Sequence, residues 1–421
     1  MSVEDRVTTA LRDGLDRLQV TPGDSGAAMS SGARLRRRRR AVRGVAAAAA
    51  VAVAVAVGLG LTGTGEGGRP EPAHTPVGSW SELPASPLSP RTGGVAVWTG
   101  KEAIFLGGEI ANHCPPNAGC TRPAKYARDG AAYDPASRTW RLIADAPVTV
   151  GYYTPHAVVG DVLVIVGDDH TWHAYDASDD AWRRLPDPPV RSELHGSALS
   201  AADGSVVSLG KGGAVLVLDL AEETWRTLPP SPDQPRVQPH TAQATTEGIV
   251  VIGVDSTARN DGTVPSYLLA EVYRDGAWHR LERSDMMGGY EWHWTGERLV
   301  APYPACVDGG EVNPFPRCIP EGGIIDPGSG TWTPLPQGPE DLSHGWSLGT
   351  AEGRWMLVGG YLYDDADGSW TLLGAPDGFG NYSDVASVIA DDTVIAFGGI
   401  DWSRNWDADD LTTNRAWIWT P

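Results

Sequence analysis

Lysine is nearly missing from this chain of 421 residues: Lys101, Lys125 and Lys211 are all it has. Lys and Arg together (33) fall well short of Asp and Glu (53), for a formal charge of −20. Residues 1–43 hold ten Arg against five acids, which leaves about −25 on the remainder. So acidic a body repels phosphate backbones, and a nucleic-acid partner is disfavoured. Cysteine is scarce too, with Cys114, Cys120, Cys306 and Cys318 the full complement. A zinc site needs His or Cys neighbours at ligand spacing, and only the first pair has one, His113. There is no nucleophile elbow, P-loop or dinucleotide fingerprint. No EF-hand spacing orders the loop carboxylates Asp255, Asp261, Asp401, Asp407, Asp409 and Asp410 around Ca²⁺. The sequence therefore calls for no metal and no cofactor.

Long apolar runs are missing as well, with one exception. Gly44 to Gly65 carries no charge and is almost wholly Ala and Val as far as Leu61. Some twenty residues at ~1.5 Å each span a ~30 Å hydrocarbon core. Arg34, Arg36 to Arg40 and Arg43 precede it, so the charge rule predicts a cytoplasmic N-terminus and an extracytoplasmic remainder. A soluble helix would need a polar face, which the run lacks. A cleaved signal peptide is the other reading, with Arg39-Arg40 as part of a twin-arginine signal. The absence of a cysteine just after the run excludes a lipoprotein anchor. Val3, Val7, Leu11, Leu15 and Leu18 share one face of a short amphipathic helix, and Ser2 with Asp5 resembles a capping box. The expected organisation is thus a cytoplasmic segment over 1–33, with residues 2–20 free to dock a cytoplasmic partner. A basic cluster and membrane helix follow over 34–62, anchored through 44–62. A Gly/Pro-rich linker over 63–77 then leads to the body, 78–421.

What the body has in abundance is tryptophan, 17 against four Phe. Seven of them are followed within three residues by a leucine: Trp80, Trp140, Trp182, Trp225, Trp278, Trp332 and Trp370, with Leu83, Leu142, Leu185, Leu228, Leu281, Leu335 and Leu373. Ahead of four, by six residues, stands the Asp of a turn: Asp134, Asp176, Asp219 and Asp326. Self-similarity of this kind marks a repeat fold. Each unit reads as a strand-like run, a tight turn, a strongly apolar run, a third strand ending at the Asp turn, and a fourth holding the Trp. In three units the second run ends in Gly107-Gly108, Gly359-Gly360 or Gly398-Gly399. Four antiparallel strands per unit predict the blade of a β-propeller.

These residues resemble the kelch-repeat family, whose motif runs through an apolar strand ending Gly-Gly, a Tyr-Asp turn and a Trp about six residues later. The resemblance covers roughly 78–421 and is degenerate in units four and five, where Gly253-Val254 and Pro302-Tyr303 replace the glycines. It implies an all-β, seven-bladed kelch-like propeller. Trp80 lies in a fourth strand with no blade before it, and Ala416–Thr420 is a third strand lacking its partner. Their pairing closes the ring and removes an open sheet edge. The tryptophans and leucines are then interblade filling, not ligand platforms.

Function must lie in the loops of one face. Long second-to-third connections cover Glu109–Asp129, Asp255–Ser266, Tyr303–Glu321 and Asp401–Asn414. The four cysteines fall in them as two close pairs, predicting two local disulfides in an oxidising compartment. Around the first strands stand His156, His195, His240, His293 and His344, with Arg91 and Tyr382 at comparable positions and Tyr152-Tyr153 nearby. Either the imidazoles bond neighbouring backbone, or Arg91, Tyr152, His156, His195, His240, His293, His344 and Tyr382 bind a polar ligand. Binding or scaffolding of an extracytoplasmic protein or carbohydrate is favoured over turnover. Two enzymatic alternatives share such propellers: a galactose oxidase-like copper oxidase, and a sugar mutarotase or glycosidase, for which Glu291 and Asp384 are candidate carboxylates.

Overall fold

The computed structural model describes residues 75–110, 125–193, 199–233, 236–257, 267–287, 291–304, 306–307, 319–336, 338–339, 349–376, 382–403 and 411–421. The predicted amphipathic helix and membrane span lie outside them. Among the described residues no helix is long and apolar enough to cross a membrane.

Seven four-stranded antiparallel sheets account for the body, as the repeat count predicts. Blade 1 is representative, with Val95–Trp98, Ala103–Leu106, Gly130–Asp134 and Thr139–Ile143. Blades 2 to 6 begin at His156–Val159, Ser200–Ala202, Val237–Thr245, His293–Trp294 and Thr350–Glu352. Blade 7 takes three strands from the end of the chain, Ala386–Ala390, Thr393–Phe397 and Ala416–Thr420, and its outermost from the beginning, Ser79–Glu82. Trp80 faces Trp419 in that last ladder. A blade packed on both sides buries both faces of its inner strands, so Ala103–Leu106 is buried at every residue and reads as a solid apolar run. The outer strand Ala181–Arg184 is only half covered.

The apolar interior is divided accordingly. Seven clusters form, each drawing its residues from two adjacent blades, the one between blades 7 and 1 included. A chain too long for one core has built seven small ones. Within them, five of the seven repeat tryptophans bond the preceding blade. The Nε1–H groups of Trp140, Trp182, Trp225 and Trp278 donate to the carbonyls of Pro84, Ala144, Pro186 and Pro229 at 2.7–2.9 Å. Trp80 closes the set by donating to Leu373 O at 3.2 Å. The acceptor each time lies at or just past the preceding unit's repeat leucine, so the Trp-Leu pair is a staple as well as filling. One leucine departs from this role. Leu142 is 59% exposed, and buried Ile143 takes its place, because the other leucines follow their tryptophans by three residues and Leu142 by two.

Asp134, Asp176, Asp219 and Asp326 cap their turns by accepting two backbone N–H groups each. A fifth turn at Asp364, six residues before Trp370, accepts the Ala366 N–H at 2.9 Å and belongs to the same pattern.

Candidate functional site

The lead-ins to the first strands share one face with the second-to-third connections, and glycine fixes how they meet. Gly107 and Gly108 both have positive φ, +70° and +96°, as do Gly398 and Gly399. The second of each pair donates to the next blade's lead-in, Gly108 N–H to Val150 O and Gly399 N–H to Arg91 O, both at 2.9 Å. A Cβ on Gly107 would stand 2.3 Å from Val150 O, so no other residue fits there.

The predicted binding residues separate into distinct environments. Arg91 is 1% exposed. Its five N–H groups are taken by Ser89 O, Ser89 Oγ, Gly107 O and a two-pronged pair with Asp129 at 2.8 and 3.0 Å. The same guanidinium holds the Asp129 carboxyl below its ordinary range. The side chain thus braces the lead-in to blade 1, while the Arg91 backbone joins blade 7, donating to Thr413 O at 3.1 Å and accepting the Gly399 N–H at 2.9 Å. Tyr382 is buried as well, on the edge of Trp417 at 6.0 Å, with its hydroxyl on Asp401 Oδ2 at 3.3 Å. His156 donates from Nδ1 to Thr154 O at 2.9 Å. His293 donates from Nε2 to Gly353 O of blade 6 at 2.8 Å. Burial lowers both imidazoles below the usual histidine range. His240 is half-buried at the bulge that shifts the register between Pro239 and Thr241. His195 and His344 lie outside the described residues. Of the cysteines, Cys306 is placed, in a two-stranded ladder where it faces Pro320; Cys114, Cys120 and Cys318 are not among the described residues.

Tyr152 has different company. It is 42% exposed and packs edge-on against Tyr153, 74% exposed, with ring centres 4.5 Å apart. Burial first, then the charges of Glu291 and Asp384, push its phenol up. Burial, Glu291 and Tyr152 push up the phenol of Tyr303, which donates to Glu291 Oε2. These residues come from blades 2, 5 and 7. No two of those blades are neighbours; Tyr152 and Asp384 both adjoin Gly93 of the blade 1 lead-in, and the charge of Glu291 reaches Tyr152 from blade 5. Asp384 is held there from below: its φ is +55°, its carbonyl accepts the Gly93 N–H at 3.0 Å and Thr92 Oγ1 at 2.9 Å, and its carboxylate accepts Ser383 Oγ at 2.8 Å.

The structure thus gathers Tyr152 with Tyr153, Glu291, Tyr303 and Asp384. It leaves Arg91, His156, His293 and Tyr382 to backbone and core. Tyr303 carries no sequence signal beyond opening a long insertion. Two exposed rings beside two exposed carboxylates make an aromatic, acceptor-rich surface, suited to stacking an apolar face and to receiving N–H or O–H donors.

No family model matches this chain, and no curated protein matches it. Among solved structures, one described as YCF48 bound to D1 peptide is similar over 83% of this chain and 97% of its own, at 14% identity and a TM-score of 0.41. A likeness of that degree carries no argument about ligand or activity.

Proposed function

We propose that the chain is a membrane-tethered, extracytoplasmic binding module of kelch-like type. Its propeller receives a protein or carbohydrate ligand at the mouth formed by Tyr152, Tyr153, Glu291, Tyr303 and Asp384. The observation that carries this is the convergence of exposed rings and carboxylates from three non-adjacent blades. Residues 44–62 would supply the anchor, residues 2–20 a cytoplasmic docking helix, and the paired cysteines two local disulfides.

A sugar-processing enzyme at the same mouth is the second reading, favoured by the Tyr303 hydroxyl on Glu291. A carboxylate can activate a hydroxyl in this way. Here, however, burial and Glu291 raise the phenol, which keeps it a proton donor and suits binding better than attack. The oxidase has less support, since His156 and His293 are engaged by backbone.

Arrays of oligosaccharides and synthetic peptides probed with the full chain test the proposal. Wild type should give discrete binders, and Tyr152→Ala or Asp384→Asn should lose them at least tenfold with an unchanged melting temperature. Binding that survives both substitutions places the ligand elsewhere. Turnover of a bound sugar, lost in Glu291→Gln, would move the assignment to the enzyme.

A further inference from the structure

Between blades 3 and 4, and sharing no residue with the central mouth, lies a cavity of ≈150 Å³. Val215, Leu228, Val251 and Trp278 give it an apolar lining. Gly212 and Gly213, at φ +72° and +78°, form one wall without side chains. The one acidic residue among those lining it is Glu271, on the third strand of blade 4 and 2% exposed. Its Oε1 accepts Ser231 Oγ at 2.8 Å. The other charges facing it are Asp233, which hydrogen-bonds the Glu271 carboxyl and whose like charge adds to burial in pushing it up, and Arg280, ion-paired to Asp233, whose positive charge draws it down. A buried carboxylate beside a second acid is costly unless a cation joins it. An apolar cavity of about 150 Å³ is roomy enough for a benzene-sized guest.

We propose that this cavity binds a short aliphatic primary ammonium group, its stem against Val251 and Trp278 and its nitrogen on the Glu271 carboxylate. A free alkylamine and a lysine side chain share that chemistry. Binding transfers no group; where Glu271 is protonated, it releases that proton to solvent as the ammonium arrives. Affinity therefore rises with pH as Glu271 ionises, levels off, and falls again where the amine itself deprotonates, near pH ~10.

Titration calorimetry on the full chain tests this with n-butylammonium, n-butanol and Nα-acetyl-lysine amide. Saturable one-to-one binding of n-butylammonium is expected, tighter at about pH 8 than at about pH 5.5. Butanol should give no saturable heat. Glu271→Gln should bind at least tenfold more weakly and lose the pH dependence, while Tyr152→Ala leaves binding unchanged. Uptake of the lysine amide as well points to a peptide side chain, and uptake of the free amine alone to a small metabolite. Equal binding of butanol, an affinity that does not vary with pH, or full affinity in a folded Glu271→Gln overturns the proposal. The first two comparisons need no variant.

Discussion

Glu352 closes the inner hairpin of blade 6, on the face opposite the lead-ins, and its carboxyl is pushed up to about 7 by burial and by the charge of Asp391. The ordinary value is 4.5, so between the two the folded chain holds a proton that the unfolded chain releases. The associated stability is complete below pH ~4.5 and is lost as pH rises through ~7. Melting temperatures across that window should fall more steeply for wild type than for Glu352→Gln. Neighbouring atoms crowd Glu352 enough to raise it, yet its surface still meets solvent, so the difference will be small, and parallel profiles would remove the assignment. Side-chain environments of this sort are the least legible part of the sequence. Arg91 is recognisable as a lead-in residue, but its saturation is not, since its partners run from Ser89 to Asp129. The Tyr152-Tyr153 pair is visible as two adjacent aromatics. Its pairing with Glu291 and Asp384 depends on ring geometry that no local pattern encodes.

The fourth strand of each blade is where the sequence speaks most clearly, because one bulky indole must recur at one depth in every seam. Even there the elements differ. Trp225 donates to Pro186 O at 2.8 Å, whereas the buried Nε1 of Trp332 has no hydrogen-bond partner among the described residues. A made hydrogen bond contributes about 1 kcal/mol net, and a buried donor left unmade is a cost of similar size. Trp225→Phe should therefore destabilise by about 1 kcal/mol more than Trp332→Phe, which loses ring area but sheds a stranded donor. Denaturant midpoints compare the two directly, and equal losses would count against the staple. Turn chemistry hid one member of the repeat. The Asp364 turn hides behind a second acid, Asp365, which is itself bonded by Arg298 at 2.8 Å and so belongs to the seam of blades 5 and 6.

Closure of the ring follows from strand bookkeeping alone: one fourth strand too many at the start of the propeller, and one too few at its end. Residues flanking the ladder reinforce it, with Val77 N–H on Leu372 O and Trp419 Nε1–H on Val77 O, both at 2.9 Å. Removing residues 75–84 should bare the edge of Ala416–Thr420 and strip Trp80 and Leu83 from two seams. The expected result in light scattering is self-association through the open edge, against a monomeric parent. A monomeric, equally stable truncation would mean the closing strand is dispensable.

That ladder also sets an order in time. Val77 and Trp419 are 342 positions apart in the chain. At ~5–20 residues per second, the ribosome needs roughly 20 to 70 seconds to bring out the partner of a strand it has already released. Contacts so distant in sequence are the slowest to form. Six blades can assemble as they emerge, yet the ring stays open until the last five-residue strand is made. Each newly made molecule therefore waits, nearly complete, with its first strand still without a partner.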